Sequence, residues 1–365
     1  MAKENNETTR QKTQRPKAFL SPPRTWRSNT CKYRRILHRD LLRGRLRSEV
    51  RTERESGGVE EARLIMLMGL PASGKSSWAH SARIVYPEYV VLSSDEIRRN
   101  LFGSGGYSQK EQRQVFSELH GRAIAALRNG QTVVYDATNI KRKRRMAFLE
   151  QIAKVPCRKE LKCFVLPVEM LKERNVKREF VVPDEVYTRQ LASFDPPMFQ
   201  EGWDDIELLM PPSVQSKDGM MDLRKIDGFD QRNPHHPYTL GEHCALTAWN
   251  CYPCDTKLFC AALYHDYGKL FTQSFDENGV AHYYGHDCCS SYYILPHLLT
   301  GGHTAQYTLE VANLIRWHMR PFVWSKSPRA EERDKKFLGE EFYNSLRKLH
   351  EADVKACKRE ERDGI

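Results

Sequence analysis

Long apolar segments are missing from this sequence. No run of about twenty apolar residues occurs in the 365 residues, so a membrane-spanning helix is not expected. The N-terminus is rich in charged side chains and has no apolar core of the signal-peptide type, so export is not expected either. These absences favour a globular protein of the cytoplasm over an integral membrane or secreted protein.

A regular cysteine framework is missing as well. The ten cysteines are scattered through a long chain, which predicts reduced thiols rather than a disulfide scaffold. Cys251 and Cys254 form a single CxxC pair without a second pair. We therefore expect ordinary cysteines there rather than zinc or redox chemistry.

Positive charge is present in excess, and it is concentrated at the N-terminus. The net charge is +11, and residues 1–60 hold sixteen Lys or Arg against seven Asp or Glu. We predict that residues 1–60 form a basic, disordered tail, in which residues 33–47 could form a short helix. Such a tail either holds nucleic-acid phosphates without sequence preference or is simply solvated.

Short apolar runs alternate with helical stretches from residue 61 to residue 212. The runs predicted to be strands are residues 64–68, 89–93, 132–135 and 161–167. Strands separated by helices indicate an α/β domain with a parallel sheet flanked by helices. After a Pro-rich break the pattern becomes mostly helical and rich in histidine, so residues 213–365 are predicted to form a second, all-α domain.

A glycine-rich loop follows the first predicted strand and precedes a helix that begins at Lys75. This order is typical of a phosphate-binding P-loop, because the glycines let backbone N–H groups point at phosphate oxygens. Lys75 can reach the β- and γ-phosphates of ATP or GTP, and the Ser76 hydroxyl can bind Mg²⁺. The residues of this nucleotide site are Gly69, Pro71, Ala72, Ser73, Gly74, Lys75, Ser76 and Ser77.

Carboxylates follow the second and third predicted strands, at Asp95 and Asp136. The carboxyl ends of parallel strands face the ligand crevice, where Asp95 can accept a proton from an attacking hydroxyl. Asp136 can support Mg²⁺ or hold the acceptor, and Arg98 can bind a phosphate of the acceptor. The alternatives are a helix cap at Asp95 and a turn residue at Asp136.

Two basic segments accompany these carboxylates. Residues 141–145 are five consecutive Lys or Arg, either a solvated helix face or a guide for a nucleic-acid strand. Residues 169–178 are predicted to form one helix, on which Arg174 and Arg178 share a face because they are four residues apart. Such a pair suits a lid over a transferring phosphate, and ordinary exposed charge is the alternative.

The first domain resembles the polynucleotide 5′-kinase family of P-loop phosphotransferases over residues 62–200. The motifs that carry the resemblance are GLPASGKSS, SSDEIR, VVYDATN and an RNxxR helix. The resemblance implies that Lys75 and Ser76 bind ATP with Mg²⁺ and that Asp95 is the general base for a 5′-hydroxyl. It also implies that Arg98 engages the acceptor phosphate while Arg174 and Arg178 form the lid. Small-molecule kinases share the same skeleton, so a small acceptor stays open.

Histidines and aspartates recur in the second predicted domain, on or beside helical stretches. His265 and Asp266 end an apolar helical run, where polar side chains need a binding partner. A capping box that begins at Thr239 places His243 in the first turn of a helix. The further candidates are His286, His318 and Asp353. Imidazoles and carboxylates that converge from several helices suit one or two transition-metal ions.

This region resembles the HD superfamily of metal-dependent phosphohydrolases over about residues 235–357. The resemblance implies a four-ligand set of His243, His265, Asp266 and Asp353, which His286 and His318 extend in two-metal members. It implies a divalent transition metal such as Mn²⁺, Fe²⁺, Co²⁺, Ni²⁺ or Zn²⁺. It also implies that Lys269 stabilises charge on the departing phosphate.

A 5′-kinase joined to a phosphohydrolase is similar to enzymes that heal nucleic-acid ends. One site would use ATP to phosphorylate a 5′-hydroxyl of RNA or DNA, and the other would remove a 3′-, 2′- or 2′,3′-cyclic phosphate, as RNA repair requires. Two alternatives stay open. One is a metabolite or nucleotide kinase joined to a hydrolase of small nucleotides, and the other is a regulatory ATP-binding module that gates an HD hydrolase.

Overall fold

The computed structural model describes residues 61–103, 105, 107–234 and 236–358. The predicted basic tail of residues 1–60, with its helix at residues 33–47, lies outside the described residues. Among the described helices, none combines the length and the apolar character that a membrane crossing needs.

Five parallel strands form one sheet in the spatial order β2-β3-β1-β4-β5. The strands are β1 Arg63–Met68, β2 Val90–Ser93, β3 Val133–Asp136, β4 Arg158–Phe164 and β5 Asp205–Leu209. The central strand β1 is buried from Leu64 onward, as expected of a strand that has covered faces and a neighbour on each side. The predicted parallel sheet flanked by helices is confirmed.

Six helices connect or flank these strands. They are α1 Lys75–Val85, α2 Ser94–Phe102, α3 Gln109–Arg128, α4 Arg142–Gln151, α5 Val168–Asn175 and α6 Asp184–Leu191. Helix α1 begins at Lys75, where the sequence predicted it, and α2 begins directly after β2. This arrangement brings the P-loop and the ends of β2 and β3 to the same edge of the sheet.

Strand β4 differs from its prediction because it carries charged residues. It covers residues 158–164 rather than 161–167. Glu160 is buried in it and accepts hydrogen bonds from Arg63 at 3.1 Å, while Lys162 contacts Glu207 of β5 at 2.7 Å. These ion pairs satisfy charges that interrupt the apolar pattern, and β5 itself is a short strand that the pattern did not reveal.

The predicted helix of residues 169–178 is wrong at its C-terminal end. Helix α5 stops at Asn175, whose side chain donates to the carbonyl oxygen of Val182 at 2.7 Å and accepts from its N–H at 3.0 Å. These hydrogen bonds hold a loop that returns to the end of the helix. Arg178 lies in that loop, so Arg174 and Arg178 do not share a helical face.

The second region is mostly helical, as predicted. Its helices are α7 Ser216–Gly219, α8 Arg224–Asp227, α9 Leu240–Cys251, α10 Thr256–Tyr264, α11 Lys269–Thr272, α12 His286–Thr300, α13 Ala305–Trp317, α14 Pro321–Trp324, α15 Pro328–Leu338 and α16 Glu340–Ala356. A short antiparallel hairpin is the exception, formed by β6 Ser274–Phe275 and β7 Ala281–His282. Helices α9, α10, α12, α13 and α16 pack around a common centre.

The two regions share one continuous buried core, and the described residues between 61 and 358 belong to one compact unit. Polar contacts also join them: the Tyr292 hydroxyl donates to the carbonyl of Leu166 at 2.8 Å. The side-chain amide of Asn313 donates to the carbonyl of Pro197 at 3.0 Å. The division at residue 213 stays a prediction.

Candidate active sites

The P-loop lies between β1 and α1, and its backbone requires glycine at two positions. Gly69 has φ +151°, and a Cβ there would lie 2.8 Å from the carbonyl oxygen of Phe164. Gly74 has φ +105° immediately before α1 begins. Both backbone conformations disfavour residues with a side chain. The backbone of the loop therefore packs closely against Phe164 and leads directly into the N-terminus of α1, as it does in a phosphate-binding loop.

Lys75 folds back over the loop that precedes it. Its Nζ donates to the carbonyl oxygens of Gly69 at 2.9 Å and Leu70 at 2.8 Å, and it lies 3.3 Å from the Ser73 hydroxyl. Burial lowers the pKa of Lys75 to about 8, although the nearby carboxylate of Asp136 opposes this effect. The ammonium group is thus held inside the loop, where phosphates would bind.

Asp136 ends β3 beside this loop, as the sequence predicted. Its side chain is buried, and burial raises its pKa while the charge of Lys75 and a hydrogen bond with Ser76 lower it. Asn139 follows three residues later and donates to the carbonyl oxygen of Leu67 at 2.7 Å. The structure therefore brings Lys75, Ser76 and Asp136 together and fixes the end of β3 against the end of β1.

Asp95 lies in the first turn of α2, but it does not cap that helix. Ser93 is the N-cap, and its hydroxyl accepts from the N–H of Glu96 at 3.4 Å. The Asp95 side chain is 66% exposed and contacts Nη1 of Arg98 at 2.5 Å. Arg98 is buried, and among the described residues its Nε has no hydrogen-bond partner. An accessible carboxylate with a buried arginine beside it suits acceptance of a proton near a bound anion.

The two arginines that were predicted to form a lid lie in different elements. Arg174 is half-buried within α5, whereas Arg178 is exposed beyond it. The charge of Arg178 contributes to lowering the pKa of Lys75. The two arginines do not form one helical surface, and their role as a lid stays a prediction.

The basic run at residues 141–145 does not act as one surface. Arg145 is buried and forms an ion pair with Glu201, with Nε 2.7 Å from Oε2. The guanidinium of Arg142 lies over the ring of Trp317 at 4.2 Å. The exposed members are Lys141, Lys143 and Arg144. The expectation of a uniformly solvated face or nucleic-acid guide is therefore wrong for two of the five residues, because they hold the fold together.

The second candidate site is a cluster of six buried side chains from five helical segments. Its members are His243 in α9, His265 and Asp266 after α10, His286 at the start of α12, His318 after α13 and Asp353 in α16. These are the six residues that the sequence singled out as metal ligands. Burial of so many polar groups is costly unless they bind one another or a cation.

Asp266 divides the cluster into two groups, because each of its oxygens faces different imidazoles. Its Oδ2 lies 3.4 Å from Nε2 of His243 and 3.2 Å from Nε2 of His265. Its Oδ1 lies 3.1 Å from Nε2 of His286 and 3.6 Å from Nε2 of His318. Asp353 completes the first group, with Oδ1 3.1 Å from Nε2 of His243. One carboxylate thus stands between two sets of nitrogen donors.

Backbone carbonyls orient three of these imidazoles. Nδ1 of His265, His286 and His318 each lies within hydrogen-bond distance of the carbonyl oxygen three residues earlier. The distances are 2.8 Å to Ala262, 2.7 Å to Tyr283 and 2.7 Å to Ile315. A proton on Nδ1 donates to this oxygen and leaves the lone pair of Nε2 directed at the cluster, as a metal ligand requires.

Charges within the cluster compensate one another. Burial lowers the pKa of His243 and His265, but Asp266 and Asp353 outweigh it and raise these values to about 11 and about 10. Burial likewise opposes ionisation of Asp266, yet His265 and Lys269 hold its pKa well below the ordinary range. Lys269 lies 2.7 Å from Asp266. Metal ions would compete with protons for the Nε2 atoms of these imidazoles, because the neutral ring is the form that binds metal.

The donor set fits divalent transition metals. Ligand atoms bound about 2.1 Å from one ion are roughly 3 Å apart, and most of the contacts described above are only slightly longer. Imidazole nitrogens combined with carboxylates favour Mn²⁺, Fe²⁺, Co²⁺, Ni²⁺ or Zn²⁺ over the all-oxygen sites of Ca²⁺. The cluster therefore contains groups of side chains that could hold a metal ion.

Gln231 and Cys357 belong to this neighbourhood although the sequence did not assign them. So does His236, for which the sequence left open a substrate phosphate contact or a place on the loop surface. The ring of His236 lies 5.5 Å from that of His243, and its Nδ1 is 3.8 Å from Sγ of Cys357. Gln231 is buried and accepts from Nζ of Lys269 at 2.8 Å. Gln231 lies in a loop without periodicity, so a sequence pattern contains no signal that would place it beside the cluster.

Comparison with family models supports the interpretation of the first region. Residues 64–197 match a family model described as an AAA domain. Together with the P-loop and the parallel sheet, this match identifies a kinase-like P-loop domain, which implies ATP and Mg²⁺. No curated protein matches the chain.

Similar solved structures cover the same region at low similarity. A candidate kinase from Chloroflexus aurantiacus is 17% identical with a TM-score of 0.37, over 43% of this chain and 91% of that chain. A chain of the Pnkp1/Rnl/Hen1 RNA repair complex is 24% identical with a TM-score of 0.34, over 37% of this chain and 45% of that one. A fungal RNA kinase is 13% identical with a TM-score of 0.32, over 42% and 76%. Likenesses this weak carry no argument about substrate.

Proposed function

We propose that the protein heals nucleic-acid ends with two active sites, an ATP-dependent 5′-hydroxyl kinase and a metal-dependent phosphohydrolase. The observation that carries the proposal is the presence of both sites in one compact unit: a P-loop with an accessible carboxylate, and six buried metal-type ligands. The phosphohydrolase would remove a 3′- or 2′-phosphate or a 2′,3′-cyclic phosphate. Its product and that of the kinase are the ends that a ligase joins.

The kinase half of the proposal rests on the side chains that follow β1, β2 and β3 at one edge of the sheet. Lys75 neutralises the β- and γ-phosphates of ATP, and Ser76 and Asp136 serve Mg²⁺. Asp95 takes the proton of the attacking 5′-hydroxyl, which strengthens that oxygen as a nucleophile. Arg98 binds the phosphate on the 3′ side of the acceptor nucleotide, and Arg174 and Arg178 add positive charge around the transferring phosphate.

The phosphohydrolase half rests on the shared carboxylate of Asp266. His243, His265 and Asp353 would hold one ion, His286 and His318 the other, and Asp266 both. Metal bound there supplies Lewis acidity and an activated water. Lys269, held by Asp266 and Gln231, places a fixed positive charge beside the site, where it stabilises a departing phosphate.

The first experiment offers labelled ATP and Mg²⁺ to the full chain together with a 5′-hydroxyl RNA oligonucleotide, a nucleoside or a small sugar. We expect label on the oligonucleotide only. The same protein loaded with Mn²⁺ or Ni²⁺ is expected to release phosphate from a 3′-phosphorylated oligonucleotide. Label on a nucleoside or sugar alone would contradict end healing and favour a small-molecule kinase.

Single substitutions should separate the two activities. Asp95→Ala is expected to lower kinase activity at least about a hundredfold and to spare phosphate release, because general-base catalysis contributes on that order. Asp266→Asn should do the converse, since it weakens both metal positions. The exposed carboxylates Glu96 and Asp276 provide matched controls, and their alanine variants should keep both activities. Loss of both activities in either site variant, with the fold intact, would refute two independent sites.

A further inference from the structure

A cavity of about 760 Å³ opens beside the six-residue metal cluster. Its walls include Pro234, His236, Pro237, Phe322, Val354 and Cys357. Lys358, which is exposed, lines it as well. The volume falls within the range of small-molecule sites and is ample for one nucleoside.

The cavity and the metal cluster have a common wall. His236 stands between them, with its ring 5.5 Å from that of the ligand His243. Cys357, another wall residue, has its Sγ within 4.8 Å of a ring nitrogen of His243. Val354 follows the ligand Asp353 directly. A molecule in the cavity therefore lies close to the first group of metal ligands.

The chemistry of the walls favours a flat, apolar group over a sugar or a phosphate. Pro234 and Pro237 have no backbone N–H to donate, and Val354 and Phe322 contribute hydrocarbon surface. The Phe322 side chain is 40% exposed, and its ring is fixed in a perpendicular contact with His350, with centroids 4.4 Å apart. A base stacks on such a ring, whereas a bare sugar would leave its hydroxyls without partners.

We propose that this cavity binds the terminal nucleoside of the phosphohydrolase substrate, with the base against Phe322 and its phosphate toward the metal cluster. The inference rests on the proposed function, since it names the part of the substrate that the second site recognises. Lys358 supplies positive charge for the next phosphate of the strand. The site then recognises any base, because every base has a face that can stack.

Binding of the product nucleoside tests the proposal without relying on catalysis. Adenosine is titrated by calorimetry into the full chain loaded with Mn²⁺, with no nucleotide added, so that no second base competes for the cavity. We expect Phe322→Ala to weaken adenosine binding about tenfold, Phe322→Trp to retain it, and Val323→Ala to leave it unchanged. Val323 is the matched control, because it is the next residue, is equally exposed and is not among the wall residues.

Kinetics separate this inference from the proposed function. The KM for adenosine 3′-monophosphate should rise about tenfold in Phe322→Ala with little change in kcat, and hydrolysis of methyl phosphate, which has no flat group to stack, should be unaffected. Equal adenosine binding by wild type and Phe322→Ala would overturn the nucleoside site while leaving the phosphohydrolase in place. Adenosine binding that depends on Phe322, without hydrolysis of any phosphate ester, would support the nucleoside site and overturn the phosphohydrolase.

Discussion

At the scale of the residue, His297 illustrates how burial, helped by the charge of His303, lowers a proton affinity. Its Nδ1 accepts a hydrogen bond from the backbone N–H of Met221 at 3.2 Å, so the folded protein needs this nitrogen unprotonated. Burial lowers the pKa of His297 to about 4, well below its ordinary value of 6.5. The unfolded chain therefore binds the proton more readily between these two values.

This difference predicts a loss of stability on acidification. The contribution of His297 is complete above pH 6.5 and is lost as the pH falls from there toward 4. We expect wild type to lose about 2 kcal/mol more than His297→Gln between pH 7.5 and pH 5, because glutamine can still accept from Met221 without titrating. Urea unfolding at both pH values measures this, and equal losses in the two proteins would contradict the assignment.

Residue identity carried most of the information about the two candidate sites. The P-loop residues and the six metal-type residues were recognisable because phosphate and metal binding demand particular side chains, whatever their place in the fold. Arg145 shows the limit of this reasoning, because its position in a charge run suggested solvent, whereas Glu201 at the end of a distant turn buries it. An ion-pair partner 56 residues away in the sequence produces no local pattern from which the burial of Arg145 could be predicted.

At the scale of the element, apolar periodicity located the strands best where they are buried on both faces. Strand β1 reads as an unbroken apolar run, whereas β4 includes buried charges that only their ion pairs explain. The end of α5 was missed for a similar reason. Asn175 binds Val182 through the side chain, and such a contact depends on where the returning loop lies rather than on helix propensity.

Gly268 controls how α11 packs against α12, close to the six predicted metal ligands. Its N–H donates to the Ser290 hydroxyl at 2.7 Å, and an added Cβ would overlap the carbonyl oxygen of His286. Gly268→Ala must therefore shift the segment that carries Asp266 or the start of α12. We expect a destabilisation of about 1–3 kcal/mol and loss of phosphate release, with kinase activity retained.

Gly121 provides the matched control for this substitution. It lies within α3, and a Cβ there would meet no atom within 4 Å. Gly121→Ala should be neutral or stabilising by roughly 0.5–1 kcal/mol, since alanine is the better helix former. Thermal unfolding measures the stability of both variants, and assays of kinase activity and phosphate release measure their function. Full phosphate release by Gly268→Ala would show that the close contact of Gly268 with His286 and Ser290 is not required.

At the scale of the whole molecule, a polar network connects the two halves behind their active sites. Nε of Arg316 donates to Oδ1 of Asp195 at 2.8 Å, and its Nη1 donates to Asp287. Asp195 also accepts from the N–H of Arg142 at 3.0 Å. Arg316 lies two residues before His318, and Asp287 directly follows His286; both histidines are predicted metal ligands. The sequence could not reveal this network, because its members come from opposite halves of the chain.

Removal of Arg316 should therefore affect stability and metal binding together. Arg316→Ala leaves the partly buried carboxylates Asp195 and Asp287 without their cation, at a cost of about 2–4 kcal/mol. We expect a lower unfolding temperature and weaker Mn²⁺ binding, whereas ATP binding by the folded protein should change little because the P-loop contacts are separate. Exposed Arg122, paired with Glu118 on α3, is the matched control and should lose less than about 0.5 kcal/mol as alanine. If Arg316→Ala lowered stability but left Mn²⁺ affinity unchanged, the network would join the halves without positioning His286 and His318.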